Sequence, residues 1–317
     1  AGISLFPDDG DSADTLLKTA STALYHAKLQ GHNNYQFYNE KLNRDSLENL
    51  KLENDLRHAI ERNELDLHYQ PKIDLASGKV NSVEALVRWR HPEIGMIPPG
   101  EFIPIAEKTG LITSLGYWIL DTACRQIREW QDAGYDQLTV AVNLSAIQFR
   151  QTDLLEEILN TLEATGICAH QLELEITEST IMDDIDTASS TMRALHCSGI
   201  HISIDDFGTG YSSLSHLKRF PINTVKIDRS FIRDITTDSD DAAIVGAIIA
   251  MAHNMGLKVI AEGVETQQQL DFLYSLQCDE VQGFLFSPPV PHHEASDLLD
   301  LCIEAQQIPV ASECSAS

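Results

Sequence analysis

Positive charge is scarce in this chain of 317 residues, which has 22 Lys and Arg against 48 Asp and Glu and a formal net charge of −26. No run of Lys and Arg is long enough to form the basic stripe that binds duplex nucleic acid. Sequence-independent binding of nucleic acid is therefore not expected. An anionic substrate would need metal ions or a few local basic groups to draw it in.

The sequence also lacks a cysteine framework, since it has no Cys-x-x-Cys pair and no histidines at a spacing suited to zinc. The six cysteines are scattered along the chain, at Cys124, Cys168, Cys197, Cys278, Cys302 and Cys314. Scattered, unpaired cysteines are typical of structural thiols in a reducing compartment. We therefore expect a cytoplasmic location.

Long hydrophobic runs are missing as well. The longest, Ala242–Ala252, is too short to span a bilayer and predicts a buried helix. No secretory signal peptide is visible. Because the chain begins at Ala-Gly-Ile without a Met, we expect an excerpt of a longer protein, and an upstream membrane segment stays open.

The first 63 residues divide into two pieces. Residues 1–40 predict a strand at Ile3–Phe6, a helix at Ala13–Leu29 and a strand at Tyr35–Tyr38, which is too little to build a core alone. We interpret them as the tail of a domain whose body lies upstream. Residues 41–63 predict a charged amphipathic linker helix that packs against the next domain through one apolar stripe, formed by Leu52, Leu56 and Ile60.

Strand-like and helix-like runs then alternate over residues 64–305, before a small polar tail at 306–317 that we expect to be disordered. The predicted strands are Leu65–Asp74, Val80–Trp89, Thr139–Ser145, Leu172–Thr177, Ile202–Phe207, Thr224–Asp228, Lys258–Glu262 and Glu280–Phe286. The predicted helices are Thr113–Ala133, Asp153–Thr165, Asp183–Cys197, Ser212–Arg219, Asp240–Met255, Thr266–Ser275 and His292–Ala305.

This alternation predicts an α/β fold with a parallel sheet, and eight strands over this length predict a (β/α)₈ TIM-type barrel. One feature departs from the standard barrel. Strands one and two are joined only by residues 75–79, which is too short for a parallel crossover. The sequence therefore predicts a modified barrel whose first two strands are antiparallel.

Seven successive strands carry a polar residue at the inward-facing position near the strand end. Any one of them could be a hydrogen-bonded core group or a solvated strand end. Together they are hard to explain as structure, because a barrel interior filled for stability holds Val, Ile and Leu, and carboxylates buried together need cations. These residues are Glu84, Asn143, Glu175, Asp205 with the adjacent Asp206, Lys226, Glu262 and Gln282.

Carboxylate and amide oxygens are the ligands of Mg²⁺ or Mn²⁺ rather than of zinc or copper. Adjacent Asp205 and Asp206 could provide a bridging and a terminal ligand for two ions, which would suit a phosphodiester substrate, with Lys226 on the phosphate or the attacking water. A one-metal enolase-type barrel is the alternative. Asn143 and the paired aspartates exceed what one ion needs and disfavour it.

The motifs that carry these residues resemble, over residues 45–305, those of the EAL-domain phosphodiesterases. The matching segments are Tyr69-Gln-Pro71, Glu84-Ala-Leu-Val-Arg-Trp89, Val142-Asn-Leu-Ser145, Glu175-Ile-Thr-Glu-Ser179, Asp205-Asp-Phe-Gly-Thr-Gly-Tyr-Ser-Ser213, Val225-Lys-Ile-Asp228, Ala261-Glu-Gly-Val-Glu265 and Gln282-Gly-Phe284. Residues 1–40 resemble the C-terminal end of a GGDEF (diguanylate cyclase) domain. They lack its Gly-Gly-Asp-Glu-Phe motif, so no activity is assigned to them.

The resemblance implies hydrolysis of the bacterial second messenger cyclic di-GMP to linear pGpG with two Mg²⁺ or Mn²⁺ ions. It implies that the first ion is held by Glu84, Asn143, Glu175 and Asp205. The second is held by Asp205, Asp206 and Glu262. In the same comparison Lys226 contacts the bridging water or the phosphate, and Gln282 helps to place a bound water.

The resemblance also implies supporting roles: Glu178 steadies the loop 207–213, Glu265 supports the metal ligands from behind, and Gln70 and Arg88 contact the substrate. It further implies a tandem signalling protein with upstream sensory domains, a homodimer, and a role in processes such as biofilm formation. Some family members bind the dinucleotide without cleaving it, but usually lack one of these groups. A non-catalytic receptor is therefore the second interpretation.

Overall fold

The computed structural model describes residues 1–29, 34–182, 184–209 and 217–300. The strands within these ranges are β1 (Gly2–Ile3), β2 (Gln36–Phe37), β3 (Leu65–Asp74), β4 (Val80–His91), β5 (Gly95–Ile97), β6 (Thr139–Asn143), β7 (Leu172–Thr177), β8 (His201–Phe207), β9 (Thr224–Ile227), β10 (Lys258–Glu262), β11 (Glu280–Gln282) and β12 (Val290–Pro291). The helices are Ala13–Leu29, Glu40–Ala59, Pro99–Thr109, Ile112–Asp132, Ala146–Phe149, Leu154–Thr165, Glu178–Met182, Ile185–Cys197, Arg229–Arg233, Ser239–Asn254, Gln267–Ser275 and His292–Leu299.

Eight of these strands close into a barrel, in the order β3-β4-β6-β7-β8-β9-β10-β11 and back to β3. The pairs from β4 through β11 are parallel, whereas β3 is antiparallel to both of its barrel neighbours, β4 and β11. The modified α/β barrel predicted from the sequence is confirmed. Strand β3 is antiparallel to β4 because the link between them is short. It closes as a tight turn in which Gly78 N donates to Asp74 O at 2.8 Å.

Two of the predicted barrel strands end two or more residues earlier than expected. Strand β6 stops at Asn143 because Ser145 caps the following helix, in a capping box with Gln148. Strand β11 stops at Gln282, and residues 283–286 form a turn in place of the predicted strand end. At Gly283 an added Cβ would lie only 2.1 Å from the main-chain oxygen of Val264, so the chain approaches its neighbour there as only glycine allows.

Other elements were not predicted or fall outside the described residues. Strand β5 pairs with the end of β4, and the helix Pro99–Thr109 follows it; neither was expected from the sequence. Strands β1 and β2 are shorter than predicted and pair in parallel. Most of the predicted helix at 212–219, the end of the predicted helix at 292–305 and the tail at 306–317 lie outside the described residues.

The apolar core lies between the barrel and its surrounding helices. The long helix Ile112–Asp132 buries a full stripe that includes Ile119, Ile127 and Trp130, and Trp130 packs edge-on against Tyr69 of β3 with ring centroids 4.9 Å apart. Burying a side chain of this size stabilises the fold by about 1.5–3 kcal/mol. The inward faces of the strands, on the other side of the barrel wall, carry mostly polar side chains.

The helix Glu40–Ala59 docks on the same core. Leu52 and Leu56 of the predicted stripe are buried, and Asp55 pairs with the buried His91, the last residue of β4, at 3.2 Å. Among the described helices, none combines the length and the apolar character that crossing a membrane requires.

Candidate active site

A one-residue bulge shapes the end of β8. The register with β9 runs from Ile204 opposite Val225 to Phe207 opposite Ile227, so β8 contains one residue more than its partner. Asp206 takes the left-handed conformation, with φ of 54°. The bulge restores Phe207 to the helix-facing core side occupied by Ile204, and it leaves both Asp205 and Asp206 off that core.

Lys226 on β9 is the centre of the carboxylate cluster. Its side chain is fully buried, and Nζ lies 2.7 Å from Glu175 Oε2, 2.5 Å from Glu262 Oε1 and 3.3 Å from Asp205 Oδ1. Oε2 of Glu84 lies 3.8 Å away. The structure thus brings carboxylates from four other strands of the barrel together around one ammonium group.

A network of amides surrounds Glu84. Its Oε1 accepts a hydrogen bond from Asn143 Nδ2 at 2.7 Å, and its Oε2 accepts one from Gln282 Nε2 at 2.6 Å. Gln282 Nε2 also donates to Oε1 of Gln70, and Nε2 of Gln70 donates to Ser287 O. Four of the predicted site residues therefore form one connected network at the level of Glu84.

The carboxylates share too little positive charge, and their pKa values diverge. Burial raises the pKa of Glu84 to about 6 and that of Glu262 to about 8, the latter against the lowering influence of Lys226. Burial also opposes ionisation of Glu175, yet Lys226 and Lys72 hold its pKa down at about 2. The surrounding carboxylates raise the pKa of Lys226 well above its ordinary value although burial lowers it. Glu175 and Lys226 thus form a buried ion pair.

Two residues that the sequence analysis did not select belong to the site. Lys72 of β3 is fully buried and donates to Glu175 Oε1 at 2.8 Å. It stands two residues after Gln70 on the same face, so the alternation of β3 could have identified it. Asp228 lies beside Asp206, and partial burial together with the neighbouring Asp205 and Asp228 raises the pKa of Asp206.

Glu178 lies behind the bulge. It is buried, and its Oε2 accepts a hydrogen bond from Gly208 N at 3.1 Å, which ties the end of β8 to the helix Glu178–Met182. Residues 210–216 of the loop lie outside the described residues.

Two predicted residues lie away from the cluster. Arg88 shares the inward face of β4 with Glu84 but donates to the main-chain oxygen of Val87 at 2.9 Å, and burial lowers its pKa. Glu265 has an exposed side chain, and its main-chain N–H donates to Gln269 Oε1 at 2.8 Å. Glu265 lines a surface pocket together with Asp228 and Arg233.

The donor set fits divalent cations. Four carboxylates (Glu84, Glu175, Asp205 and Glu262) lie within 4 Å of the ammonium group of Lys226, and within the described residues the buried Oε1 of Gln282 has no hydrogen-bond partner. In the described part of the chain no three Asp, Glu, His or Cys side chains converge as the ligands of one ion would. The ammonium of Lys226 lies between the carboxylates instead, where a cation would reduce their repulsion.

The model of the EAL domain family matches residues 53–289, which include the whole cluster. The chain belongs to the EAL domain family. The chain is 50% identical over 290 residues to MucR of Pseudomonas aeruginosa, named as a bifunctional diguanylate cyclase/cyclic di-GMP phosphodiesterase, a match that covers 92% of this chain and 42% of MucR.

Two further comparisons agree with this assignment. NbdA of Pseudomonas aeruginosa, named as a cyclic di-GMP phosphodiesterase, is 47% identical over 290 residues, which cover 92% of this chain and 37% of NbdA. A solved structure of the PaMucR phosphodiesterase in complex with c-di-GMP superposes on the EAL barrel with a TM-score of 0.75 and 51% identity, covering 77% of this chain and 99% of that chain. The chain spans less than half the length of these curated relatives.

Proposed function

We propose that this EAL barrel hydrolyses cyclic di-GMP to linear pGpG with the help of two divalent cations, Mg²⁺ or Mn²⁺. The observation that carries the proposal is the ring of Glu84, Glu175, Asp205 and Glu262 around Lys226 at the carboxyl ends of parallel strands. Active sites of TIM-type barrels form at this end. The names of MucR and NbdA, both phosphodiesterases, support the same activity.

The residues divide the work of holding the cations. Glu84, Asn143, Glu175 and Asp205 would hold the first ion, and Asp205, Asp206 and Glu262 would hold the second. When bound, such ions supply Lewis acidity and lower the pKa of water. Ligation requires that Glu84 and Glu262 give up the protons that burial favours on them.

The remaining side chains would contact the substrate and the attacking water. Lys226, released from its carboxylates by the cations, would place its ammonium on the phosphodiester or on the attacking water. The buried Oε1 of Gln282, which has no hydrogen-bond partner among the described residues, could orient a water molecule. The inward face of the antiparallel pair β3–β4 carries Gln70 and Arg88 beside Glu84. From there Arg88 could turn its guanidinium to a phosphate oxygen.

The experiment is incubation of the purified protein with cyclic di-GMP and Mg²⁺ or Mn²⁺, with chromatographic detection of pGpG. We expect product with either ion and none in EDTA. Binding of cyclic di-GMP without product would favour the receptor function. The receptor function is disfavoured because the chain has every polar side chain that the resemblance assigns to the metal sites. If neither binding nor product is found, the enolase-type barrel becomes the better candidate.

The parts beyond the barrel belong to the same proposal. Residues 1–40 would be the end of a GGDEF-like domain and residues 41–63 a linker helix, within a longer tandem protein with sensory domains and a homodimeric barrel. That division is compatible with two features of the structure. Strands β1 and β2 pair in parallel and are connected by the helix Ala13–Leu29, and the helix Glu40–Ala59 docks on the barrel core. The cytoplasmic location stays a prediction; the four described cysteines, Cys124, Cys168, Cys197 and Cys278, are free thiols.

A further inference from the structure

A second lysine lies inside the barrel, beneath the carboxylate cluster. Lys72 is 1% exposed, and its Nζ lies 2.8 Å from Glu175 Oε1 and 3.4 Å from Glu173 Oε2. In the register of β3 and β4 it stands opposite Ser82, one inward position below the pair formed by Gln70 and Glu84. Lys72 therefore reaches Glu175 from the closed side of the barrel, away from the mouth.

The two oxygens of Glu175 consequently have different neighbours. Oε1 accepts its hydrogen bond from Lys72 on the closed side. Oε2 accepts one from Lys226 at 2.7 Å, on the side where Asp205 and Glu262 also meet that ammonium group. Oε2 is thus the oxygen that a cation in the cluster can reach without displacing Lys72.

We propose that Lys72 keeps Glu175 a one-oxygen metal ligand and thereby biases the site toward small six-coordinate ions and against Ca²⁺. The inference rests on the proposed function. Ca²⁺ takes six to eight oxygen ligands and often both oxygens of one carboxylate, whereas Mg²⁺ requires near-ideal octahedral geometry. A carboxylate with one oxygen occupied by a buried ammonium suits the second requirement. Lys72 is a positioning residue, because it acts on the ion through Glu175.

Charge and geometry can be separated by comparing two ions. The positive charge of Lys72 repels every divalent cation to a similar extent, so its removal should raise the affinity for all of them. The freed Oε1 should help only an ion that uses both oxygens of a carboxylate. The ratio of the dissociation constants for Ca²⁺ and Mg²⁺ therefore reports the geometry, while the absolute values report the charge.

The test is calorimetric titration of the metal-free protein with Mg²⁺, Mn²⁺ and Ca²⁺, for the wild type and for Lys72→Met. We expect the ratio of the Ca²⁺ to the Mg²⁺ dissociation constant to fall by about tenfold in Lys72→Met. The matched control is Glu173→Gln, which retains the bond from Lys72 to Glu175 and should keep the wild-type ratio. An unchanged ratio in a Lys72→Met protein with native circular dichroism overturns the inference.

Two further measurements keep the test decisive. If Lys72→Met does not fold because Glu173 is left buried and unpaired, the double variant Lys72→Met/Glu173→Gln removes that charge as well. A crystal of the wild type soaked in Ca²⁺ needs no variant: one coordinating oxygen of Glu175, with Oε1 still on Lys72, supports the inference, and two coordinating oxygens overturn it. If the wild type cleaves cyclic di-GMP but these tests contradict the inference, only the role of Lys72 is rejected. A wild type that neither binds ions nor cleaves rejects the proposed function and this inference with it.

Discussion

Nζ of Lys226 lies 2.7 Å from Oε2 of Glu175, and both side chains are buried within the barrel. An ion pair in this position is stable only if further partners compensate the loss of hydration. Here the compensation comes from neighbouring carboxylates on one side and from Lys72 on the other. The carboxylates of the cluster therefore still repel one another, and a bound cation would reduce this repulsion.

Replacement of Lys226 by methionine should abolish hydrolysis while leaving cation binding intact or stronger. The variant removes the ammonium that would stabilise the phosphodiester or the water, a loss of about a hundredfold or more in rate. Product formation and calorimetric Mg²⁺ binding measure the two effects separately. Lys258→Met, at an exposed lysine paired with Glu280 outside the cluster, is the control and should retain the rate. Wild-type turnover in Lys226→Met would reject the assigned role.

Truncation of Glu84 to alanine should also abolish hydrolysis, but through loss of the first cation. The change removes the acceptor of Asn143 and of Gln282, so the amide network at this level loses its centre. The same calorimetric titration should show one binding event fewer. Ser82→Ala, one inward position below on the same strand, removes a hydroxyl without a partner in the described residues and should behave as wild type. Normal cleavage by Glu84→Ala would contradict the two-metal assignment.

Asp205→Asn and Asp206→Asn should differ in the number of cations that they weaken. Asp205 lies 3.3 Å from Lys226 in the middle of the cluster, whereas Asp206, displaced by the bulge, lies beside Asp228. We expect Asp205→Asn to weaken both ions and Asp206→Asn to weaken mainly the second. Mn²⁺ titrations that resolve two sites measure this difference. Equal affinities at both sites in both variants would remove the distinction.

Glu178→Ala should lower the activity without removing a metal ligand. Gly208 N would lose a hydrogen bond to a charged acceptor, worth about 1.5–3 kcal/mol, and the bulge that carries Asp206 would lose its anchor. We expect a weaker second cation and slower cleavage. Glu178→Gln retains an acceptor oxygen and should recover most of the rate. Equal loss in both variants would point to the charge of Glu178 rather than to its bond with Gly208.

The stability of the metal-free protein should fall with rising pH because of Glu262. Burial raises its pKa in the folded state from 4.5 to about 8, so between these values the folded protein binds a proton that the unfolded chain releases. The stabilisation is complete below pH 4.5 and lost as the pH rises through about 8. Glu262→Gln does not titrate.

The difference in unfolding free energy between Glu262→Gln and the wild type should therefore grow with pH, by up to about 1.4 kcal/mol per pH unit. Denaturant unfolding in EDTA, at several pH values from about 5 to 8, measures it. A difference that is constant with pH would show that Glu262 is ionised throughout.

The bulge at the end of β8 shows where prediction from the sequence reaches its limit. The apolar residues Ile202, Ile204 and Phe207 break the period of two by one residue, and this break is the trace of the bulge. The sequence analysis placed the two aspartates side by side without the bulge, since one irregular step does not distinguish a bulge from the end of a strand.

Local pattern determined the barrel, the antiparallel start, and the inward face of each strand, because side-chain alternation and link length are properties of neighbouring residues. The contacts within the barrel were decided only by the tertiary structure. Lys72 meets Glu175 across 103 residues of chain, and Lys226 meets Glu175 across 51. Such distances depend on barrel closure and on register between distant strands, which periodicity does not encode. The sequence by itself determined which oxygen donors face inward; the closed barrel decided which lysine each of them meets.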